Sequence, residues 1–60
     1  MNKFGYELTF KFDNGFVHVD NARPVFNNYN DAEWNGNHMR KNEELNRKNC
    51  KVSCRVVEFN

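Results

Sequence analysis

No stretch of this sequence approaches the ~20 consecutive apolar residues of a membrane span, so a transmembrane protein is not expected. Met1-Asn2-Lys3 is not followed by an apolar run, which argues against a secretory leader and for a cytoplasmic protein. Charge of one sign is also lacking. Lys and Arg number 9 against 8 Asp and Glu, for a net charge of +1. That balance disfavours an acidic DNA mimic and a strongly basic nucleic-acid binder alike. There is no Gly-rich phosphate loop, no HExxH, no GxSxG and no pair of carboxylates with an evident cleft. A chain of 60 residues leaves little volume for a substrate pocket, and an enzyme is not expected.

Cysteine and histidine are scarce, at 2 each. Cys50, Cys54, His18 and His38 are the residue types of a zinc site, but their spacing opposes one. Along a strand, residues 50 and 54 stand roughly 13 Å apart. Two ligands of one zinc must each lie within ~2.3 Å of the metal. The same separation forbids an intrachain disulfide, for which Cα atoms must come within about 7 Å. Two small buried thiols on the inner face of the third strand are expected instead, and no cofactor. A Cys/His nucleophilic centre needs an exposed, electropositive thiol beside an oriented imidazole, and nothing local supplies it.

What the chain does have is aromatics, at 15% of residues, and Asn, at twelve positions. The Asn residues are scattered rather than massed in a tract, which fits an AT-rich coding sequence better than prion-like behaviour. Charge is unevenly placed, with −2 over residues 1–39 and +3 over residues 40–60. The length sets the expectation of one domain, 1–60, marginal without a staple or a partner chain.

Phe4, Tyr6, Leu8, Phe10 and Phe12 share one parity, and Glu7, Thr9 and Lys11 the other. This predicts a strand with one buried face. Asn14-Gly15 is the favoured pair of a two-residue type I′ turn. That loop would set Phe12 opposite Val17 and Phe10 opposite Val19, all on the buried side. Phe16 and His18 would then stand beside Lys11 on the outer side. Pro24 should end or edge the second strand. Val25, Phe26 and Tyr29 are expected to tuck under the sheet. A helix follows, capped by Asn30 or Asp31. It runs either unbroken from about 31 to 48 through Gly36, or from about 38 after a turn at Asn35-Gly36. Trp34, Met39 and Leu45 are its thin apolar stripe, expected on the sheet. "CKVSCRVVEF" alternates as a third strand, with Val57 and Phe59 off parity, which suggests a bulge or a strand leaving the edge. The expected architecture is β-β-α-β, in the α+β class.

"GFVHV" resembles the Phe-Val-His-Phe segment of cold-shock domains, and "KFGYELTF" their upstream Lys-Gly-Phe-Gly-Phe segment. The likeness spans about twenty residues. It implies that Phe16 and His18, with Lys3 and Tyr6, would face a nucleic acid. The chain departs from that family in the inner parity of Tyr6 and in being too short for a five-stranded barrel.

These features predict a small non-enzymatic interaction protein that docks on a larger protein. Short self-contained reading frames of this kind are common in bacteriophages, which suggests an inhibitor or regulator of a host protein. The alternative is a regulator that binds single-stranded nucleic acid through the outer hairpin face and the basic C-terminal residues. The candidate partner-binding residues are Phe16, His18 and Lys11 on the hairpin and the aromatic anchors Tyr29 and Trp34. Arg40, Lys41, Arg47, Lys48 and Arg55, continued by Lys51, form a basic rim. A homodimer, through strand 50–59 or the outer hairpin face, is also expected.

Overall fold

The computed structural model describes residues 2–60. Strand β1 (Lys3–Phe12) is flanked by β2 (Val17–Asp20) and β3 (Cys50–Phe59) in an antiparallel sheet of order β2-β1-β3. Helix α1 (Tyr29–Asn46) lies across β1 and β3 and leaves β2 uncovered. Even-numbered residues of β1 and β3 face the helix. Leu8, Phe10, Ala32 and Val52 are buried there, with Tyr6, Phe12, Cys50 and Cys54 packed around them. Among the described residues the opposite face of the sheet has no helix. This is the α+β arrangement that the alternation and turn signals predict.

The hairpin register differs from the expected one. Leu8 stands opposite Asp20, and Phe10 opposite His18. The Phe12 amide donates to the Phe16 carbonyl at 2.9 Å, and the Gly15 amide to the Phe12 carbonyl at 2.9 Å. The loop therefore has three residues, Asp13-Asn14-Gly15. Gly15 alone in it takes a positive φ, 92°. A type I′ turn would need positive φ at Asn14 as well. The arrangement is instead a tight turn closed by a left-handed glycine, the three-residue form of hairpin. Asn14 holds it by accepting the Phe16 amide at 3.0 Å through Oδ1.

The cost is that Val17 and Val19 face the helix-free side, 51% and 42% exposed. That cost is small because α1 does not reach β2, so the valines would have stayed open on either face. In return Phe12 meets Phe16 with ring centroids 5.8 Å apart, and Phe10 meets His18 at 5.9 Å. Cross-strand aromatic pairs of this kind contribute ~0.2–1 kcal/mol each.

β3 has no bulge. Its pairing with β1 runs unbroken from Cys50↔Phe12 to Phe59↔Lys3. Val57 and Phe59 lie on the helix-free face, where Val57 is opposite Gly5. The backbone of Arg23 occupies the place of a Cβ on Gly5, so the connector covers this end of the sheet. The connector also bridges to β1, with Phe4 and Phe26 exchanging amide–carbonyl bonds of 2.9 Å. Phe26 tucks in beside Tyr6, its ring centroid 6.2 Å away, but Val25 stays exposed. Tyr29 sets its ring edge-on to Phe4 at 6.2 Å and is half exposed.

The helix is continuous through Gly36, and it begins earlier than expected. Asn28, not Asn30 or Asp31, is the cap. Its Oδ1 accepts the Asp31 amide at 2.8 Å, and its Nδ2 donates to the Asp31 carboxylate at 3.0 Å. Asp31 is thus the reciprocal partner three residues on, although its carboxylate takes the Asn28 side-chain amide where a capping box takes the backbone amide. Arg47 ends the helix in an extended conformation, and Asn49 turns the chain at φ 60°. No helix is long and apolar enough to cross a membrane among the described residues.

Candidate docking surface

A helix of 3.6 residues per turn places residues 34, 38, 41 and 45 in one stripe and residues 32 and 36 nearly opposite. In α1 the small residues take the sheet side. Ala32 and Gly36 are buried, and a Cβ on Gly36 would stand 2.5 Å from Cys54 Sγ and 2.9 Å from Tyr6 Cβ. The helix backbone therefore rests almost directly on the strands. The larger apolar residues are turned away from it. Trp34 is 64% exposed and Leu45 85% exposed, while Met39 lies at the flank. Trp34 and Leu45 of the stripe expected on the sheet thus face solvent, because close approach leaves no room for large side chains between the layers, and only Met39 borders the cleft over Tyr6 and Leu8.

On the outer side, the Trp34 and His38 rings pack edge-to-face at 4.3 Å. Asn30, Glu33, Asn37 and Lys41 surround them in a shallow depression. Trp34, His38, Lys41 and Leu45 form a ridge three turns long, apolar at both ends and basic in between.

The other predicted site residues are dispersed. Phe16 is 59% exposed at the hairpin tip. His18 holds Asp20 through Nε2 at 3.0 Å. Both lie on the helix side of the sheet, beyond the helix, whereas Lys11 lies on the helix-free side. The platform of Phe16, His18 and Lys11 on one face is therefore not formed. The basic residues do not make one patch either. Arg40 is paired with Glu44 at 3.1 Å. Arg47 is paired with Glu43 at 3.1 Å, and its guanidinium sits 4.9 Å over the Phe10 ring. Arg55 is on the helix-free face with Glu7 at 3.3 Å. Lys48 is exposed in the turn after α1.

On the helix-free face Lys11 stands directly opposite Lys51, with Thr9 opposite Ser53 alongside. Like charges so placed repel. A cleft between α1 and the connector has Tyr6, Leu8 and Phe26 as its floor, with Asp20, Glu43 and Arg23 at the rim.

Among the described residues no group of three or more His, Cys, Asp or Glu is placed to hold a metal ion. Cys50 and Cys54 are free and share the helix side of β3, half-buried at the border of the core rather than buried in it. Burial pushes the Cys54 thiol up from its ordinary value, with Arg40 lowering it and Glu33 raising it by lesser amounts.

Sequence reasoning missed His38 and Leu45 as surface residues. The signal was present: Ala32 and Gly36, four apart, mark a face of close approach and so assign positions 34, 38, 41 and 45 to the other side. Comparison with protein-family models, curated proteins and solved structures found no match to this chain.

Proposed function

We propose that this protein is a small non-enzymatic interaction protein that docks on a larger protein through the outer ridge of α1. The observation that supports this reading is the outward placement of Trp34 and Leu45, three turns apart on one face, while alanine and glycine face the sheet. Fully burying one such side chain is worth about 1.5–3 kcal/mol, and the fold itself does not use that energy. Tryptophan is a frequent energetic anchor of interfaces. A helix presenting anchors at i, i+4, i+7 and i+11 suits a groove on a partner. Trp34 and Leu45 would fill apolar pockets, and Lys41 would meet an acidic rim. Inhibition or regulation of a host protein, as small bacteriophage proteins do, is the biological role proposed.

The test is capture from bacterial lysate on immobilised protein, read by mass spectrometry. A specific protein should be retained by the wild type and by Phe16→Ala, and lost with Trp34→Ala. Retention of nucleic acid alone, or loss with Phe16→Ala only, would remove this reading.

A second reading is favoured by the Lys11–Lys51 pair. An anionic backbone laid on the helix-free face would relieve their repulsion, and Arg55 and Lys3 lie on the same side. A single-stranded oligonucleotide would then bind through its phosphates. Binding should weaken steeply with salt, fall with Lys11→Ala or Lys51→Ala, and be indifferent to Phe16→Ala and His18→Ala.

A further inference from the structure

The N–H and C=O groups of an antiparallel strand alternate between its two neighbours. On β1 the even residues point to β2 and the connector, as Phe12 and Phe4 show by bonding Phe16 and Phe26. The odd residues therefore bond β3, whose odd residues face them in register. It follows that Cys50, Val52, Cys54, Val56 and Glu58 direct their backbone groups outward, along the free edge of β3. One of these donors is occupied: the Val52 amide is held by the Glu44 carboxylate at 3.1 Å. The strand is regular, ten residues long and free of proline. Such an edge is a template for another strand.

We propose that β3 pairs antiparallel with β3 of a second copy of this chain, about a two-fold axis at Cys54, to form one continuous sheet. The register follows from hydrogen bonding and charge. Outward-pointing residues must meet outward-pointing residues, so only registers that pair even with even are allowed. A two-fold at Ser53 would set Lys51 against Arg55 of the other copy. A two-fold at Arg55 would set that residue against itself. A two-fold at Val56 or Val52 forfeits one end of the strand. At Cys54, residues 50–58 all pair. Val52 meets Val56, Ser53 meets Arg55, Lys51 meets Val57 and Cys50 meets Glu58, with no like charges opposed.

The helices agree with this choice. The two-fold is perpendicular to the sheet, so both copies of α1 lie on one face, antiparallel and side by side. With strands ~4.8 Å apart and each helix over β1 and β3, their axes would lie roughly 10 Å apart, a normal helix-packing distance. Gly36 lies against Cys54 Sγ, and Glu33 and Arg40 stand about one helical turn before and after Gly36. An axis through Cys54 brings Glu33 of each copy towards Arg40 of the other. Glu44 is the competitor: it must release the Val52 amide before that group can meet the Val56 carbonyl of the second copy. The pairing leaves Trp34 and His38 on the crest of α1 open, while Lys41 and Leu45, which border the depression beside Cys50 and Lys51, flank the second copy.

Analytical ultracentrifugation tests the pairing. The wild type should sediment as a concentration-dependent dimer of the 7.2 kDa chain. Glu44→Ala should tighten association about tenfold by freeing the edge. Val56→Pro should give a monomer with unchanged far-UV circular dichroism, because the amide it removes faces away from β1. Cysteine cross-linking reads the register independently, in a chain carrying Cys50→Ser and Cys54→Ala. With oxidised glutathione, Ser53→Cys combined with Arg55→Cys should form interchain disulfides, and neither substitution alone should. A wild-type monomer at all concentrations would overturn the proposal. So would cross-linking by Ser53→Cys alone or Arg55→Cys alone, which would place the axis elsewhere.

Discussion

Replacing Gly36 by alanine separates the close-packed helix of this fold from an ordinary amphipathic one. On a solvated helix the change stabilises by about 1 kcal/mol, because glycine is the poorer helix former. Here the new Cβ would stand 2.5 Å from Cys54 Sγ, 2.9 Å from Tyr6 Cβ and 3.0 Å from Tyr6 Cγ. Comfortable separations between such atoms are ~3.5–4 Å. The Cys54 side chain can rotate, but Tyr6 Cβ is fixed to the strand, so the helix must lift by roughly an ångström. Overpacking of that kind costs ~1–3 kcal/mol. The balance is a net loss of about 1 kcal/mol, opposite in sign to the propensity effect. For a domain of this size that lowers Tm by roughly 4–8 °C. Thermal and urea denaturation followed by far-UV circular dichroism, at one fixed protein concentration, reads it. Adding Cys54→Ala should recover part of the loss. An increase in stability for Gly36→Ala alone would refute the close packing of α1 on β1 and β3, and with it the reason Trp34 faces outward.

Gly15→Ala should cost about 1–2 kcal/mol, because φ 92° is unfavourable for any L side chain; no loss in urea denaturation would contradict the three-residue loop. Asn28→Ala should cost about 1 kcal/mol as a lost cap, whereas Asn30→Ala should cost little, and the same assay compares them. Burial raises the Cys54 pKa in the folded chain, so the folded state holds its proton more tightly than the unfolded state. Stability from this source is complete below the ordinary thiol pKa and is lost as pH rises through the folded value. Urea midpoints across that alkaline window should fall more for the wild type than for Cys54→Ala. Cys54 should also react more slowly with a thiol reagent at neutral pH than it does in the urea-unfolded chain.

The order β-β-α-β was legible because alternation over residues 4–12 and 50–56, and the i,i+4 charge pairs before Arg47 and Lys48, are local signals. The hairpin register was not. Asn-Gly suits both a two-residue loop and a three-residue loop closed by the glycine, and the choice rests on which face of β2 is covered. That is a tertiary fact, since α1 spans β1 and β3 only. The off-parity Val57 and Phe59 suggest a bulge or a strand leaving the edge for the same kind of reason: the connector that covers the Gly5 end of the other face comes from residues distant in sequence. The helix orientation was misread by following hydrophobicity alone. Ala32 and Gly36 are small rather than strongly apolar, yet they decide how near the layers can come. Of the candidate site, Trp34 and Lys41 fall on one ridge, while Phe16 and Lys11 fall on opposite faces.

The claim that the outer ridge of α1 is the working surface is tested most directly by the NMR footprint of a captured partner on isotope-labelled protein. Amide shifts and line broadening should concentrate around Trp34, His38, Lys41 and Leu45, with the Trp34 indole N–H among the most affected. A footprint centred on Phe16 and His18, or on Lys11 and Lys51 across the helix-free face, would contradict it.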